Sequence, residues 1–300
     1  MNEKFLNYRG KIQAIASHGS TLGFVTHHRE NHATAIYRLD AESLELTAQQ
    51  LPEGANAILS VGDDFWAAGT DGQLFHSPSS AAAPTAYLPG LGPGTALAAL
   101  TDGRIAMLSG ETIAIFDRSN GARVQTLALE SSATTLASDP TGQWIAVGCQ
   151  DGRVCVYECE GKERFESSAS AKIHEGAVDA LMFEPEELRF FSAGADGKLF
   201  TTHARGDLEP EDRGRTFGHE KTVTAIISAP GDRFITGSLD KTCKTWKRGG
   251  GSRPATLDDG LGKVIDLATI EIHGRTHLAA ACSDNTIRFF LLGDEGKFGE

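Results

Sequence analysis

A short turn followed by an apolar strand recurs along the 300-residue sequence at intervals of 40 to 45 residues. The clearest copy is at Asp240, and equivalent turns lie 44 residues to either side, at Asp196 and Asp284. Earlier copies begin at Asn31, Asp71, Glu111 and Asp151. None of the seven units contains a long stretch of 3.6-residue periodicity, which argues against a helical solenoid. The period therefore predicts small β-sheets repeated radially, each covered by its neighbours.

The pattern is most complete between Gly218 and Trp246. Thr222–Ile227 and Arg233–Ser238 are runs of β-branched, aromatic and small residues, and a third run ends at Trp246. The runs are separated by Pro230-Gly231-Asp232 and by the polar turn that begins at Asp240. Such runs between turn-forming residues predict three short strands joined by tight turns.

The Gly218-His219 start, the Ser238-Leu239-Asp240 turn and the terminal Trp246 resemble a unit of the WD-repeat family. The whole chain resembles a seven-bladed β-propeller of that family. The resemblance implies an all-β fold of four-stranded antiparallel blades, with a ring closed by an N-terminal strand. In the family, a His, a Ser or Thr, the turn Asp and a strand Trp form a hydrogen-bonded tetrad inside a blade. His219, Ser238, Asp240 and Trp246 match these four positions.

The other units match the tetrad in part. The fifth unit keeps His174 and Asp196 but has Gly194 and Thr202 at the other two positions. The fourth unit has Cys149, Asp151 and Tyr157, and the seventh has Cys282, Asp284 and Phe290.

The unbroken repeat indicates one propeller domain over residues 1–300, although a chain of this length often forms two domains. The expected blades cover residues 10–51, 52–90, 91–129, 130–173, 174–218, 219–257 and 258–292. After the seventh unit only the polar segment Gly293–Glu300 remains. Residues 4–8 are therefore predicted to pair as the outer strand of the seventh blade. A frayed N-terminus is the alternative.

The composition limits the classes of partner. A net charge of −12 and a pI near 5.3 disfavour a general affinity for nucleic acid or anionic membranes. The sequence has no apolar run of 18 residues, and Met1–Gly10 lacks the core of a signal peptide. Five cysteines without a C-x-x-C pair suit a reducing compartment, so a cytoplasmic location is expected. The polar C-terminal segment would also serve as a linker if the chain were part of a larger polypeptide or complex.

Two segments have residue types that could bind a metal or a phosphate-containing cofactor. His27, His28 and His32 lie in one loop, and imidazoles bind zinc and copper. Their spacing matches no established zinc motif, so a solvated turn is predicted. The glycine-rich segment 89–94 contains Pro93, which lacks an amide donor, and leads into a predicted strand at Thr95–Leu100. It is interpreted as a connection between blades, and no cofactor or metal is expected.

Catalytic motifs are absent from the sequence: it has no Gly-x-Ser-x-Gly elbow, no His-Glu-x-x-His, no P-loop and no Rossmann glycine motif. His219, Ser238 and Asp240 are the residue types of a hydrolytic triad. The family resemblance places them inside a blade, whereas a nucleophile needs an exposed oxygen beside an oxyanion site. No catalytic residue is predicted.

Two functions remain. The family resemblance favours a non-catalytic scaffold that presents its faces to other proteins. The alternative is a propeller-fold enzyme or small-molecule binder with a site at the central channel, for which the sequence lacks a repeated set of inward polar residues. Acidic segments around Glu158–Glu166, Glu184–Glu187 and Asp207–Asp212 are interpreted as solvated loops, with a basic partner as the alternative.

In the resembled fold, the loop that carries His219 and the turn that carries Asp240 open on the same face. Residues just outside the tetrad positions are therefore expected to contact a partner, whose identity does not follow from the sequence. The predicted partner-binding residues are Gln150, Glu175, Glu220, Lys221, Leu239, Lys263 and Ser283.

Overall fold

A computed structural model describes residues 5–7, 10–27, 34–80, 82–87, 91–160, 164–211, 218–249, 253–258 and 260–299. The regular secondary structure within these ranges is entirely β-strand. The strands form seven antiparallel sheets in chain order, the architecture of a seven-bladed β-propeller, as the family resemblance implied.

The first two blades are formed by β2 (Lys11–His18), β3 (Thr21–His27), β4 (Thr34–Asp40) and β5 (Leu46–Leu51), then by β6 (Ala55–Val61), β7 (Asp64–Gly69), β8 (Leu74–Ser77) and β9 (Thr85–Tyr87). The third and fourth contain β10 (Ala96–Ala99), β11 (Arg104–Ser109), β12 (Thr112–Asp117) and β13 (Arg123–Ala128), then β14 (Ala133–Ser138), β15 (Trp144–Cys149), β16 (Arg153–Glu160) and β17 (Arg164–Lys172).

The fifth blade contains β18 (Val178–Phe183), β19 (Arg189–Gly194) and β20 (Leu199–His203), and the sixth contains β21 (Val223–Ala229), β22 (Arg233–Ser238), β23 (Cys243–Lys247) and β24 (Ala255–Leu257). The seventh contains β25 (Val264–Ile272), β26 (Arg275–Cys282), β27 (Thr286–Leu291) and β1 (Phe5–Asn7). Within the described ranges the fifth sheet has three strands and one further bridge, from Thr202 to Pro210.

The chain divides into two compact units. The first unit consists of residues 1–69, 75–86 and 224–300, and the second of residues 70–74 and 87–223.

In the first unit, β1 completes the seventh blade. Phe5, Leu6 and Asn7 pair antiparallel with Arg288, Ile287 and Thr286 of β27. The predicted pairing of the N-terminal segment is confirmed for residues 5–7, whereas residues 4 and 8 lie outside the described part of the chain. Because β27 would otherwise be an edge strand, β1 satisfies backbone groups that an open edge would expose.

The first and seventh blades share an apolar core to which both contribute. Ile12, Phe24 and neighbouring residues pack with Ile270 and Ile287. A polar contact joins the same two blades, because the Ile15 amide donates a 2.9 Å hydrogen bond to Oδ2 of Asp266.

The polar C-terminal segment was predicted not to form a strand, and it forms a turn in which Leu292 bridges to Phe298. The Thr245 hydroxyl donates to the Gly296 carbonyl at 3.0 Å. Gly296 has φ +69, and a β-carbon there would lie 2.3 Å from the Pro230 carbonyl oxygen. Only glycine fits this close approach between the segment and the sixth blade.

In the second unit, hydroxyl groups on inner strands connect adjacent blades. The Thr134 hydroxyl donates to the carbonyls of Gly148, in its own blade, and of Val178, in the fifth blade. The Ser138 hydroxyl donates to the Ala99 carbonyl of the third blade at 2.7 Å. Buried apolar residues of the third and fourth blades pack in one cluster, and those of the fourth and fifth in another. The predicted strand at Thr95–Leu100 is confirmed as β10, so the glycine-rich segment does not open a helix.

Deletion of residues 1–9 is expected to lower the melting temperature and to promote aggregation, because it exposes the backbone edge of β27. Differential scanning calorimetry and light scattering measure both effects. A peptide with the sequence of residues 1–10, added in excess, is expected to restore part of the lost stability. An unchanged melting temperature in the deletion variant would contradict the role of β1.

The contact between Ile15 and Asp266 predicts a pH dependence of stability. Burial is the largest influence on the Asp266 carboxyl and raises its pKa to about 6, against opposing hydrogen bonds from the Ile15 and Leu267 amides. Asp266 keeps some solvent contact, and its carboxyl lies between the first and seventh blades, where it accepts the amide hydrogen bonds of Ile15 and Leu267. The folded state therefore retains a proton that the unfolded chain releases near pH 4.

The Asp266 contribution to the free energy of unfolding is consequently expected to fall as the pH rises from about 4 to about 6. Urea denaturation of the native chain and of Asp266→Asn across this range measures it as a difference. Between about pH 4 and about pH 6, the native chain is expected to lose about 1–3 kcal/mol of free energy of unfolding relative to Asp266→Asn. A difference that stays constant, or that moves the other way, would contradict the assignment.

Candidate functional site

A buried chain of Ser, His and Asp lies in the fifth blade. His174 precedes β18, Ser192 lies in β19, and Asp196 lies in the turn between β19 and β20. Nδ1 of His174 is 3.0 Å from Oδ1 of Asp196, and Nε2 is 2.9 Å from the Ser192 hydroxyl. Ser192 is fully buried and His174 is only 2% exposed. The Phe200 ring packs edge-on against the imidazole at 4.8 Å.

The Asp196 carboxylate is fixed by the backbone as well as by the imidazole. It accepts hydrogen bonds from the amides of Lys198, at 3.0 Å, and Glu175, at 3.2 Å. Burial alone would raise the pKa of Asp196, but the hydrogen bond and charge of His174, followed by the two amides, hold that pKa below its usual range. The carboxylate therefore ties the loop before β18 to the turn after β19.

These three residues have the hydrogen-bond order of a hydrolytic triad, but not its accessibility. A nucleophilic serine must present its oxygen to a substrate beside donors for the developing oxyanion. The Ser192 oxygen is enclosed within the blade. The arrangement instead stabilises the blade, as the family resemblance implied for its tetrad.

The structure corrects the hydroxyl position of the tetrad. In the sixth blade, Nε1 of Trp246 donates to the Thr236 hydroxyl at 2.8 Å. The Ser238 hydroxyl, predicted for that role, accepts a hydrogen bond from the Asp240 amide at 3.1 Å. His219 is also buried, at 8% exposure. In the fifth blade the hydroxyl likewise comes from Ser192, two residues before the predicted Gly194.

Strand register explains the shift. Trp246 lies directly opposite Phe234, and their rings stack with centroids 6.2 Å apart. Thr236 is two residues along on the same side of β22, so the indole reaches it diagonally. The repeated pattern of hydroxyl residues at Ser192 and Thr236 was the signal available in the sequence.

The turn carboxylate has the same local role wherever the repeat retains an Asp. In each case its side chain accepts a hydrogen bond from the amide two residues later, an Asx turn. These pairs are Asp71 with Gln73, Asp151 with Arg153, Asp196 with Lys198, Asp240 with Thr242, and Asp284 with Thr286. The recurring Asp in the sequence therefore marks a turn geometry.

The residues that the sequence aligned with the tetrad in the fourth and seventh blades, other than the turn Asp, are apolar in character. Cys149, Tyr157, Cys282 and Phe290 are buried in core clusters. All five cysteines are free and buried.

Four of the predicted partner-binding residues lie in the second unit. Gln150, Glu175, Glu220 and Lys221 are all exposed. The Gln150 amide donates to the Ser132 carbonyl at 2.8 Å, and Glu175 forms a 3.6 Å ion pair with Lys198. The backbone of these turns is thus fixed while the side chains reach solvent.

The other three lie in the first unit. Lys263 and Ser283 are exposed and adjacent, because the Ser283 amide donates to the Lys263 carbonyl at 2.8 Å. Leu239 is half-buried, not fully exposed as the sequence suggested. In the part of the chain that the structure describes, the large apolar side chains with most exposure are instead Leu44 (53%), Leu46 (39%) and Val124 (52%), which the repeat pattern did not identify.

A cleft of about 350 Å³ lies at the first two blades, within the first unit. Arg38 stacks over the Phe65 ring at 4.5 Å and donates to the Asp63 carbonyl at 2.9 Å. Ligand pockets are mostly apolar, whereas this cleft is lined by charged and polar side chains. Its lining consists of His18, Thr21, Arg38, Asp40, Glu45, Thr47, Asp63 and Ser79.

Over the described ranges, no group of three or more His, Cys, Asp or Glu side chains is arranged to hold a metal ion. Of the predicted histidine loop, His28, His32 and the side chain of His27 lie outside those ranges. The part of the chain that the structure describes also has no helix long and apolar enough to cross a membrane.

The family model of the WD domain, G-beta repeat, matches residues 121–158 and 212–247 of the chain. This chain contains WD40 repeats. A solved chain from a crystal structure of the mitotic checkpoint complex superimposes with a TM-score of 0.82, covering 97% of this chain and 95% of that one. Its sequence identity is 16%, so that similarity establishes the fold alone.

Characterised relatives match parts of the WD40-repeat chain. Ribosome biogenesis protein ERB1 of Ajellomyces capsulatus is 31% identical over 137 residues, 45% of this chain and 16% of that protein. The WDR12 homolog of Drosophila sechellia, also named a ribosome biogenesis protein, is 32% identical over 124 residues, 40% of this chain and 27% of its own length. Actin-interacting protein 1 of Caenorhabditis elegans is 24% identical over 196 residues, 65% of this chain and 31% of that protein. The chain thus spans less than a third of each relative.

The assignment of the Trp246 acceptor can be tested with a double-mutant cycle. Thr236→Val and Trp246→Phe each remove one partner of the hydrogen bond, so the pair is expected to show a coupling free energy of about 1 kcal/mol. Urea denaturation measures all four proteins of the cycle. The matched cycle of Ser238→Ala with Trp246→Phe is expected to show no coupling. Coupling in the second cycle and none in the first would restore the original assignment.

Proposed function

We propose that this WD40-repeat chain is a non-catalytic scaffold for protein–protein interaction. The proposal rests on one observation: the Ser, His and Asp side chains that could form a hydrolytic triad hydrogen-bond to one another inside a blade. Ser192, His174 and Asp196 are bonded to one another, and the first two are fully or almost fully buried. The exposed turns next to them carry charged and polar side chains on a fixed backbone.

The relatives support a role in assemblies. Two of them are named ribosome biogenesis proteins, and a third is named for its interaction with actin. A rigid frame of strands that presents variable side chains on short turns is suited to recognition by a preformed surface.

The proposed contact residues form one set in each unit. The second unit contributes Gln150, Glu175, Glu220 and Lys221, and the first contributes Leu239, Lys263 and Ser283. In either set, polar and charged side chains can be substituted to alter recognition of a partner without removing a contact in the apolar core.

The test uses two variants that change these sets separately. Gln150→Arg with Glu175→Arg changes the second unit, and Lys263→Glu with Ser283→Glu changes the first. All four side chains are exposed, and the ion pair between Glu175 and Lys198 is a surface pair of small energetic value. The controls are exposed pairs on outer strands: Arg123→Glu with Thr126→Arg in β13, and Ala48→Glu with Gln50→Arg in β5.

Proteins captured from the native cell by the wild-type chain are identified by mass spectrometry, produced in pure form and titrated against every variant. At least one turn variant is expected to weaken binding by about 1–3 kcal/mol, whereas both outer-strand controls bind as the wild type does. Equal binding by all variants would refute these contact residues. Failure of every captured protein to bind the purified chain would refute the scaffold role.

A further inference from the structure

Two acidic loops of the second unit meet at the fifth blade, at the end away from Asp196. One is the connection between β18 and β19, and the other follows β20. Together they form what is called here the acidic loop surface, composed of Glu184, Glu186, Glu187, Asp207, Glu209 and Glu211. All except Glu184 are exposed. The sequence showed two separate acidic segments, and the structure brings them together.

Arg189 is the residue on which the two loops converge. Its guanidinium lies 2.8 Å from Oε2 of Glu184, 2.8 Å from Oε2 of Glu187 and 3.3 Å from Oε2 of Glu211. Backbone pairing holds the geometry, because the Glu184 amide donates to the Arg189 carbonyl and the Glu211 amide donates to the Thr201 carbonyl, both at 2.9 Å. One cation thus faces three carboxylates.

The Glu184 side chain has an oxygen that this arrangement leaves unsatisfied. The side chain is only 5% exposed, and Oε2 receives both contacts from Arg189. Oε1 is buried and has no hydrogen-bond partner among the residues that the structure describes. A buried carboxylate oxygen without a donor is costly, and a cationic donor would satisfy it once the side chains that cover it move aside.

Among the described residues at this surface, carboxylates outnumber cations. The His203 ring lies 2.7 Å from Oε1 of Glu211. Arg205 stacks over the Trp144 ring at 5.1 Å and lies 3.5 Å from Glu158, which is a further carboxylate. Burial alone would lower the pKa of Arg189, but the hydrogen bond and charge of Glu184, then the charges of Glu211 and Glu187, raise it. The local field therefore favours additional positive charge.

We propose that the acidic loop surface binds an Arg- and Lys-rich segment of a partner protein. The proposal rests on the scaffold function and specifies the chemistry of one partner. Charge complementarity identifies the occupant: carboxylates on two separate loops need several cations in a row, as one basic segment supplies. A guanidinium suits the unsatisfied Glu184 oxygen, because its planar donors pair with carboxylates in a defined geometry.

The experiment measures fluorescence anisotropy with a labelled peptide of alternating Arg and Gly residues, and with a matched peptide in which Gln replaces Arg. At about 50 mM salt, the Arg peptide is expected to bind and the Gln peptide is not. The triple variant Glu186→Gln, Glu187→Gln and Glu211→Gln is expected to bind the Arg peptide at least about tenfold more weakly.

The matched control removes the same number of charges elsewhere in the second unit. Glu111→Gln, Glu130→Gln and Glu166→Gln change three exposed carboxylates and are expected to alter the affinity less than about twofold. Equal losses in the two triple variants would show only a general attraction to an acidic protein and would overturn the proposal. If the first variant fails to fold, Glu186→Gln with Asp207→Asn is used instead, and an unchanged affinity in that pair would also overturn it.

Two further measurements test whether something other than a basic segment of a partner protein occupies the acidic loop surface. Arg213 and Arg215 follow Glu211 in the sequence but lie outside the described ranges. If Arg213→Gln with Arg215→Gln raises peptide affinity by about tenfold or more, the chain covers this surface with its own cations and the proposal is wrong. Competition by calcium or magnesium at millimolar concentration, but not by sodium at equal ionic strength, would assign the surface to a metal ion.

The scaffold function is judged independently of this result. If the Arg peptide does not bind, while a captured protein still depends on the turn residues named above, only the acidic loop surface is refuted.

Discussion

The pairing of β1 with β27 is the contact on which the first unit most depends. The two strands are separated by almost the whole sequence, yet they form adjacent strands of one sheet. The seventh blade shares its core with the first, so an exposed β27 would weaken an apolar interface as well as a row of backbone hydrogen bonds. The seventh blade is therefore stabilised by a strand that is distant from it in the sequence.

Polar groups give this repetitive apolar framework a defined register. Hydroxyls of Thr134 and Thr224 donate to carbonyls of the following blade, and the Asx turns fix the connections between strands. The buried Ser192 and His174 belong to the same class of contact. Because these groups act within the fold, recognition falls to exposed turns and loops, where charge differs from one blade to the next.

The sequence predicted the fold because a strand repeat of 40 to 45 residues is compatible with few architectures. Strand positions were predicted to within a few residues, since turn-forming residues mark their ends. The predicted hydroxyl partner of Trp246 was wrong. The indole contacts a residue diagonally across the sheet, and the register of the two strands decides which residue that is. The acidic loop surface was visible only as separate segments, because its centre at Arg189 joins residues from different loops.

Hydrogen exchange along β27 in the intact chain tests the central claim most directly. If β1 is the fourth strand of the seventh blade, the amides of Thr286, Ile287 and Arg288 are all expected to exchange as slowly as those of the interior strand β26. Alternating fast and slow amides across these three residues, as in a strand with one open edge, would contradict the pairing and the closure of the seventh blade built on it.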